Sequence, residues 1–152
     1  MKKVAIAAAV LAATAFTVQA QQTKVEDQIK YRKAAYTLMG LNFGSLGAMA
    51  QEKKPYNKEE AARNADFVAM LSDVPKGFFG DGTDSGHNTK AKPEIWQKRS
   101  DFDAKMDKMV TETAKLPQTA RSGDAAALKK AVHDVDAACK ACHDDYREKR
   151  RG

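Results

Sequence analysis

Near the end of the chain Leu128, Val132, Val135, Cys139, Cys142 and Tyr146 follow one another at alternating steps of four and three residues. That rhythm keeps all six on one face of an α-helix. Two of the six are the chain's only cysteines, and they stand in the string Cys139-Lys140-Ala141-Cys142-His143. C-x-x-C-H is the pattern in which two thiols add across the vinyl groups of a haem while the histidine ligates its iron. Cys139 and His143 are four residues apart, so the imidazole projects to the side of the helix on which the thioether bonds are made. The competing readings each need something this sequence lacks. A structural zinc site takes four Cys or His ligands, and beyond the string there are only His87 and His133. A redox C-x-x-C pair accompanies a βαβ pattern, and none is present.

The first twenty residues bear on compartment. Lys2 and Lys3 precede an apolar run from Val4 to Val18 that closes with the small residue Ala20, the layout of a secretory signal peptide cleaved after Ala20. The run is short for a transmembrane helix and is followed by Gln21-Gln22-Thr23-Lys24; an uncleaved anchor is the minor alternative. Export agrees with the cysteine usage, because covalent haem attachment takes place outside the cytoplasm and both thiols are used by the motif.

Charge then narrows the partners. Without Lys2 and Lys3 the 26 basic residues become 24, against 20 acidic, so the mature apoprotein is near +4; two haem propionates bring it to about +2. No basic stripe interleaved with aromatics appears, which argues against nucleic acid. Residues 21–152 suit one domain with a single core.

Four segments carry helical periodicity. From Val25 to about Met49 the apolar positions Val25, Ile29, Tyr36, Met39, Phe43, Leu46 and Met49 recur at helical spacing, with the charged Arg32 anomalous in the seam. Asn57, with Glu59 and Glu60, provides an N-cap and acidic first turn for a second helix, whose inner face is Ala61, Ala65, Val68, Ala69 and Leu71. Pro75 is expected to end it, ahead of a Gly-rich stretch from Lys76 to Lys92. Pro93 suits the first turn of a third helix holding Ile95, Trp96, Phe102, Met106, Met109, Val110 and Leu116, which Pro117 is expected to break. Asp124 can cap the fourth, which bears the haem motif. No strand pattern competes, and the fold class is all-α: an antiparallel four-helix bundle with one covalently attached haem c.

These residues resemble the cytochromes c′, class II c-type cytochromes whose haem motif lies near the C-terminus and which are themselves standard examples of the up-and-down bundle. Three stretches carry the resemblance: Lys30-Tyr31-Arg32 through Met39-Gly40, Phe79-Gly80-Asp81-Gly82-Thr83 with Lys92-Pro93-Glu94-Ile95-Trp96, and Cys139 through Arg147. Asp81 stands where the family commonly has proline. The resemblance implies a five-coordinate iron with His143 as its single axial protein ligand, and a distal side admitting small diatomics. Nothing in Asp144–Gly152 offers a methionine or histidine as a sixth ligand. By the same likeness Arg32 pairs with a haem propionate, which gives the charge in an apolar seam a partner. Tyr36 matches the distal position, where leucine or phenylalanine is more usual, and its hydroxyl can donate to a bound ligand. Arg147, one turn after His143, reaches the proximal side.

His87 and His133 read as surface residues, and Met39, Met49, Met106 and Met109 as packing, with Met39 kept open because it stands one turn from Tyr36. The expected function is a periplasmic haem c protein that binds NO and CO in scavenging, transport or sensing, with some capacity for electron transfer, and not an enzyme. The alternative is a six-coordinate, low-spin electron carrier with Met39 or another first-helix residue as sixth ligand; a tyrosine at the distal position counts against it. A peroxidase-like catalyst would need distal histidine and arginine, which are missing. A redox partner protein and a homodimer through the first two helices complete the expectations, the latter implied by the family resemblance and in keeping with the apolar side chains Leu38, Leu41 and Val68 on those helices.

Overall fold

The periodic segments become the legs of a helical bundle. The computed structural model describes the backbone of residues 2–149 and the side chains of residues 24–149; the signal peptide expected over residues 1–20 lies outside the latter range. The described residues form six α-helices: α1 Lys2–Ala50, α2 Lys58–Ser72, α3 Glu94–Gln97, α4 Arg99–Thr113, α5 Leu116–Ser122 and α6 Ala125–Tyr146. There is no named strand among the described residues, and none of their helices is long and apolar enough to cross a membrane. α1 packs on α2, α2 on α5, and α4 on α6, with α6 also against α1 and α5.

The caps read from sequence form. The Asn57 side chain accepts a hydrogen bond from the Glu60 amide at 2.8 Å, and Asp124 Oδ1 accepts from the amides of Ala126 and Ala127 at 2.9 and 3.0 Å. Gly123 closes α5 in the left-handed conformation, φ 80°, which a β-carbon would strain.

The third leg departs from expectation. Instead of one helix from Pro93 to Leu116 there are three, broken at Lys98 (φ −121°, ψ 46°) and again before Leu116. Pro117 does not end the leg. Inside a helix its ring would clash with a carbonyl one turn back, but in a first turn it is tolerated, so the chain restarts as α5 with Pro117 there and Leu116 fully buried. Pro75 likewise occupies the first turn of a 3₁₀ helix, Val74–Phe78.

The two ends of the bundle are built differently. At one, Leu46, Ala61, Ala65, Leu116, Ala120 and Leu128 are closed off completely, and the alanines of α2 and α5 allow close helix approach. At the other, Phe79, Phe102 and Tyr146 form an edge-on aromatic chain, with ring centroids 4.8 and 5.4 Å apart, beside a large cavity. Val68, expected among the surplus apolar residues of the outer face, is wholly buried in this core. The outer face carries Leu38, Leu41, Phe67 and Met70 instead, Leu41 being 72% exposed.

Candidate cofactor cleft

The stripe of α6 places Cys139, Cys142 and His143 on the wall of a cavity of about 860 Å³. That volume lies in the range of sites that enclose a small-molecule cofactor. α1 contributes Arg32, Tyr36 and Met39 to the same cavity, α4 contributes Phe102, Met106 and Met109, and residues 88–91 line a further side. Arg147 also lines it, so all six residues singled out from sequence converge on one space. His87 and His133 are exposed and do not line it, which leaves His143 as the imidazole there.

Local electrostatics argue against redox cycling. Burial pushes both thiols up, to about 11, with Asp136 adding to the effect at Cys139 and Cys139 adding to it at Cys142. Redox-active C-x-x-C pairs show the reverse, a lowered thiol pKa. Desolvation lowers the pKa of His143, and the charge of Arg147 lowers it further, so the imidazole is neutral and able to ligate at pH 7. Among the described residues no group of three or more His, Cys, Asp or Glu side chains could hold a metal ion on its own.

Arg32 is 2% exposed, and the structure supplies the partners that the sequence did not show. Nη1 donates to the Phe78 carbonyl at 2.9 Å and to Thr83 Oγ1 at 2.8 Å; Nη2 donates to the Thr83 carbonyl at 2.6 Å and to Thr89 Oγ1 at 2.7 Å. The guanidinium also lies 4.5 Å from the centroid of Phe79. It therefore ties α1 to the Gly-rich connection, whose hydroxyls carried no role in the sequence reading; the only hint was a charged residue in an apolar seam. Nearby, the Gly80 amide donates to Gln28 Oε1 at 3.2 Å, and a β-carbon at Gly80 would stand 2.7 Å from that oxygen.

Arg147 is not the next turn of α6. The helix ends at Tyr146, and Arg147 is extended (φ −117°, ψ 130°), with its amide donating to the His143 carbonyl at 3.2 Å. A two-sided strap causes this: Arg147 pairs with Ala91 as an isolated antiparallel bridge, the Lys92 amide donates to the Tyr146 carbonyl at 3.0 Å, and the Glu148 amide donates to the Lys90 carbonyl at 2.9 Å. Lys149 is exposed; Arg150 and Arg151 lie outside the described residues.

Tyr36 is half-buried, and its hydroxyl donates to Met106 Sδ at 3.4 Å. Burial, reinforced by Cys142, raises its pKa far above the usual phenol value, so the hydroxyl keeps its proton at any physiological pH. The thioether beside it comes from α4, not from Met39 on its own helix.

The cleft suits a flat apolar group with acidic substituents. Its walls are largely aliphatic and aromatic, two cysteines and one imidazole share a helix face, and Lys33, Lys90, Lys140 and Arg147 are exposed along its margin. These residues fit haem c.

Comparison with known proteins agrees with this geometry. Residues 27–147 match the family described as cytochrome C′. A cytochrome c′ of Rubrivivax gelatinosus is 43% identical over 129 residues, covering 85% of this chain and all of that protein. Its crystal structure superposes with a TM-score of 0.78, covering 82% of this chain and 97% of the other. A cytochrome c prime from Shewanella frigidimarina, 40% identical, gives 0.79 with the same coverage. A nitric oxide complex of a variant of the Alcaligenes xylosoxidans cytochrome c prime, 38% identical, gives 0.76 over 83% of this chain and 97% of that one.

Proposed function

The chain belongs to the cytochrome c′ family, and on that premise we propose that it is a periplasmic, high-spin haem c protein that binds NO and CO. Its role would be NO scavenging, transport or sensing, with electron transfer as a second capacity and no enzymatic turnover. One observation carries the reading: a single cavity brings together the C-x-x-C-H face of α6, one imidazole, and a tyrosine of α1 whose hydroxyl is held by a thioether. When bound, haem c supplies an iron with one coordination position open to a diatomic.

The chain's own residues supply the rest. Cys139 and Cys142 would hold the group through thioether bonds, and His143, neutral at pH 7, would supply an imidazole nitrogen to its iron. Tyr36 limits the space available to an arriving gas and presents an O–H donor to it. Arg32 keeps the covering connection in place through Thr83 and Thr89, and its guanidinium would also offer positive charge to a haem propionate. Arg147 places positive charge beside His143, which favours the reduced state and supports a ligand arriving from that side. Residues 1–20 serve as the export signal. The apolar outer faces of α1 and α2, with Leu38, Leu41, Phe67 and Met70, form a homodimer contact.

A second reading has an observation of its own. Met39 and Met106 both line the cavity, and either thioether as a sixth ligand would make the protein a low-spin electron carrier. The visible absorption spectrum of the holoprotein, ferric and ferrous, before and after CO and NO, separates the two. High-spin bands that shift with gas are the expected result; a low-spin spectrum unmoved by CO assigns the protein to electron transfer alone.

A further inference from the structure

Three tyrosines are packed into the bundle by their rings, and their hydroxyls are treated differently. Tyr56 donates to the Ala120 carbonyl at 2.8 Å, and Tyr146 donates to the Asp101 carboxylate. Both partners are strong oxygen acceptors; the first bond ties the α1–α2 connection to α5, and the second ties α6 to α4. Tyr36 donates to a thioether, Met106 Sδ at 3.4 Å, and has no other hydrogen bond among the described residues. Thioether sulfur is a weak acceptor. Met106 is itself 1% exposed on α4, so its sulfur stands in the interior beside the hydroxyl.

We infer that Met106 is a positioning residue for Tyr36: it parks the phenol hydroxyl on a weak acceptor, aimed into the cavity and readily surrendered to a bound diatomic. The inference rests on the gas-binding reading of this cleft. A carbonyl or carboxylate at this position would hold the hydroxyl as firmly as Ala120 holds Tyr56, and a ligand would gain little by competing. An aliphatic residue would leave the hydroxyl without a competing acceptor, and a bound ligand would receive the whole of its donation. Met106 lies between these limits and sets how much of the Tyr36 hydrogen bond reaches the ligand.

The two limits can be built. Met106→Leu nearly conserves volume, the class of core exchange that folds tolerate best. In the holoprotein it is expected to slow CO dissociation by about two- to fivefold and to lower the C–O stretching frequency, the mark of a fuller hydrogen bond to the ligand. Met106→Gln, which places an amide oxygen beside the hydroxyl, shifts both readouts the opposite way. Neither substitution should change either readout when made on a Tyr36→Phe background. A Met106→Leu effect of equal size in that background would show that Met106 acts by packing alone and would overturn the inference, as would no effect in the parent protein.

Ultraviolet resonance Raman supplies a readout that needs no ligand. The Fermi doublet of tyrosine reports phenol hydrogen bonding, and the Tyr36→Phe protein isolates the contribution of this residue. Met106→Leu is expected to change it, and an unchanged doublet overturns the inference. If no variant binds CO while the doublet responds, the gas-binding reading fails and the Tyr36–Met106 contact stands.

Discussion

The two ends of this bundle solve one problem by opposite means. Around Leu46, Leu116 and Leu128 the helices are held by apolar side chains that exclude all solvent, with alanines allowing the close approach. Around the cleft there is too little side chain to fill the space, and hydrogen bonds take over. Arg32 grips Phe78, Thr83 and Thr89, while the Lys90–Lys92 segment straps Tyr146 to Glu148. A fold that reserves a cavity for a cofactor must replace packing with directional bonds around its rim.

The largest effect should therefore come from loosening the occupant. With Cys139→Ala and Cys142→Ala together, haem becomes extractable by acid and organic solvent. In the extracted protein, hydrogen exchange at the Lys92, Arg147 and Glu148 amides should rise by roughly a hundredfold while amides beside Leu46 and Leu128 change little. Uniform acceleration across both ends would mean that the bundle is one cooperative unit and would end the contrast.

Next in size is a matched pair of substitutions, one at each end, read by urea unfolding of the holoprotein. Leu116→Ala removes a side chain with no solvent exposure and is expected to cost about 3–5 kcal/mol, with the cleft's visible spectrum intact. Arg32→Leu keeps the stem but leaves the Phe78 and Thr83 carbonyls and the Thr83 and Thr89 hydroxyls short of a donor, at about 2–3 kcal/mol, and it should alter the spectrum. A neutral or stabilising Arg32→Leu would show that burying the charge costs as much as its bonds return, a balance known for buried ions.

This contrast also governs how much of the molecule could be read from sequence. The packed end follows from periodicity: the seam of α1, the inner face of α2 and the α6 stripe are all where the three-and-four spacing puts them, because apolar burial is a property of each helix alone. The motif residues Cys139, Cys142 and His143 were legible because their chemistry is written in adjacent positions. The polar rim was not. The partners of Arg32 lie 46 to 57 residues away, from the end of the 3₁₀ helix into the Gly-rich connection, and no spacing rule links a guanidinium to two threonines across that distance. Arg147 was read as helical because nothing in Tyr146-Arg147-Glu148 signals a strap contributed by Lys90–Lys92. Pro117 was read as a stop because a proline ends one helix and opens the next with the same residue.

The smallest expected effect tests whether polar restraint is confined to the cleft. Glu112 is a buried carboxylate near the end of α4, where the third leg breaks before α5, and it accepts from Lys108 and Lys115 at 2.6 Å each. Those two hydrogen bonds hold its pKa below the ordinary carboxylate value. A carboxyl depressed in the folded state stabilises the fold at pH above its unfolded pKa, and that contribution fades as pH falls through the folded value. Stability measured by urea should thus decline below about pH 4 with a component that Glu112→Gln removes. If Glu112→Gln leaves the acid limb unchanged, the two lysines do no more than solvate the carboxylate. The α4–α5 break then depends on Leu116 and Pro117 alone.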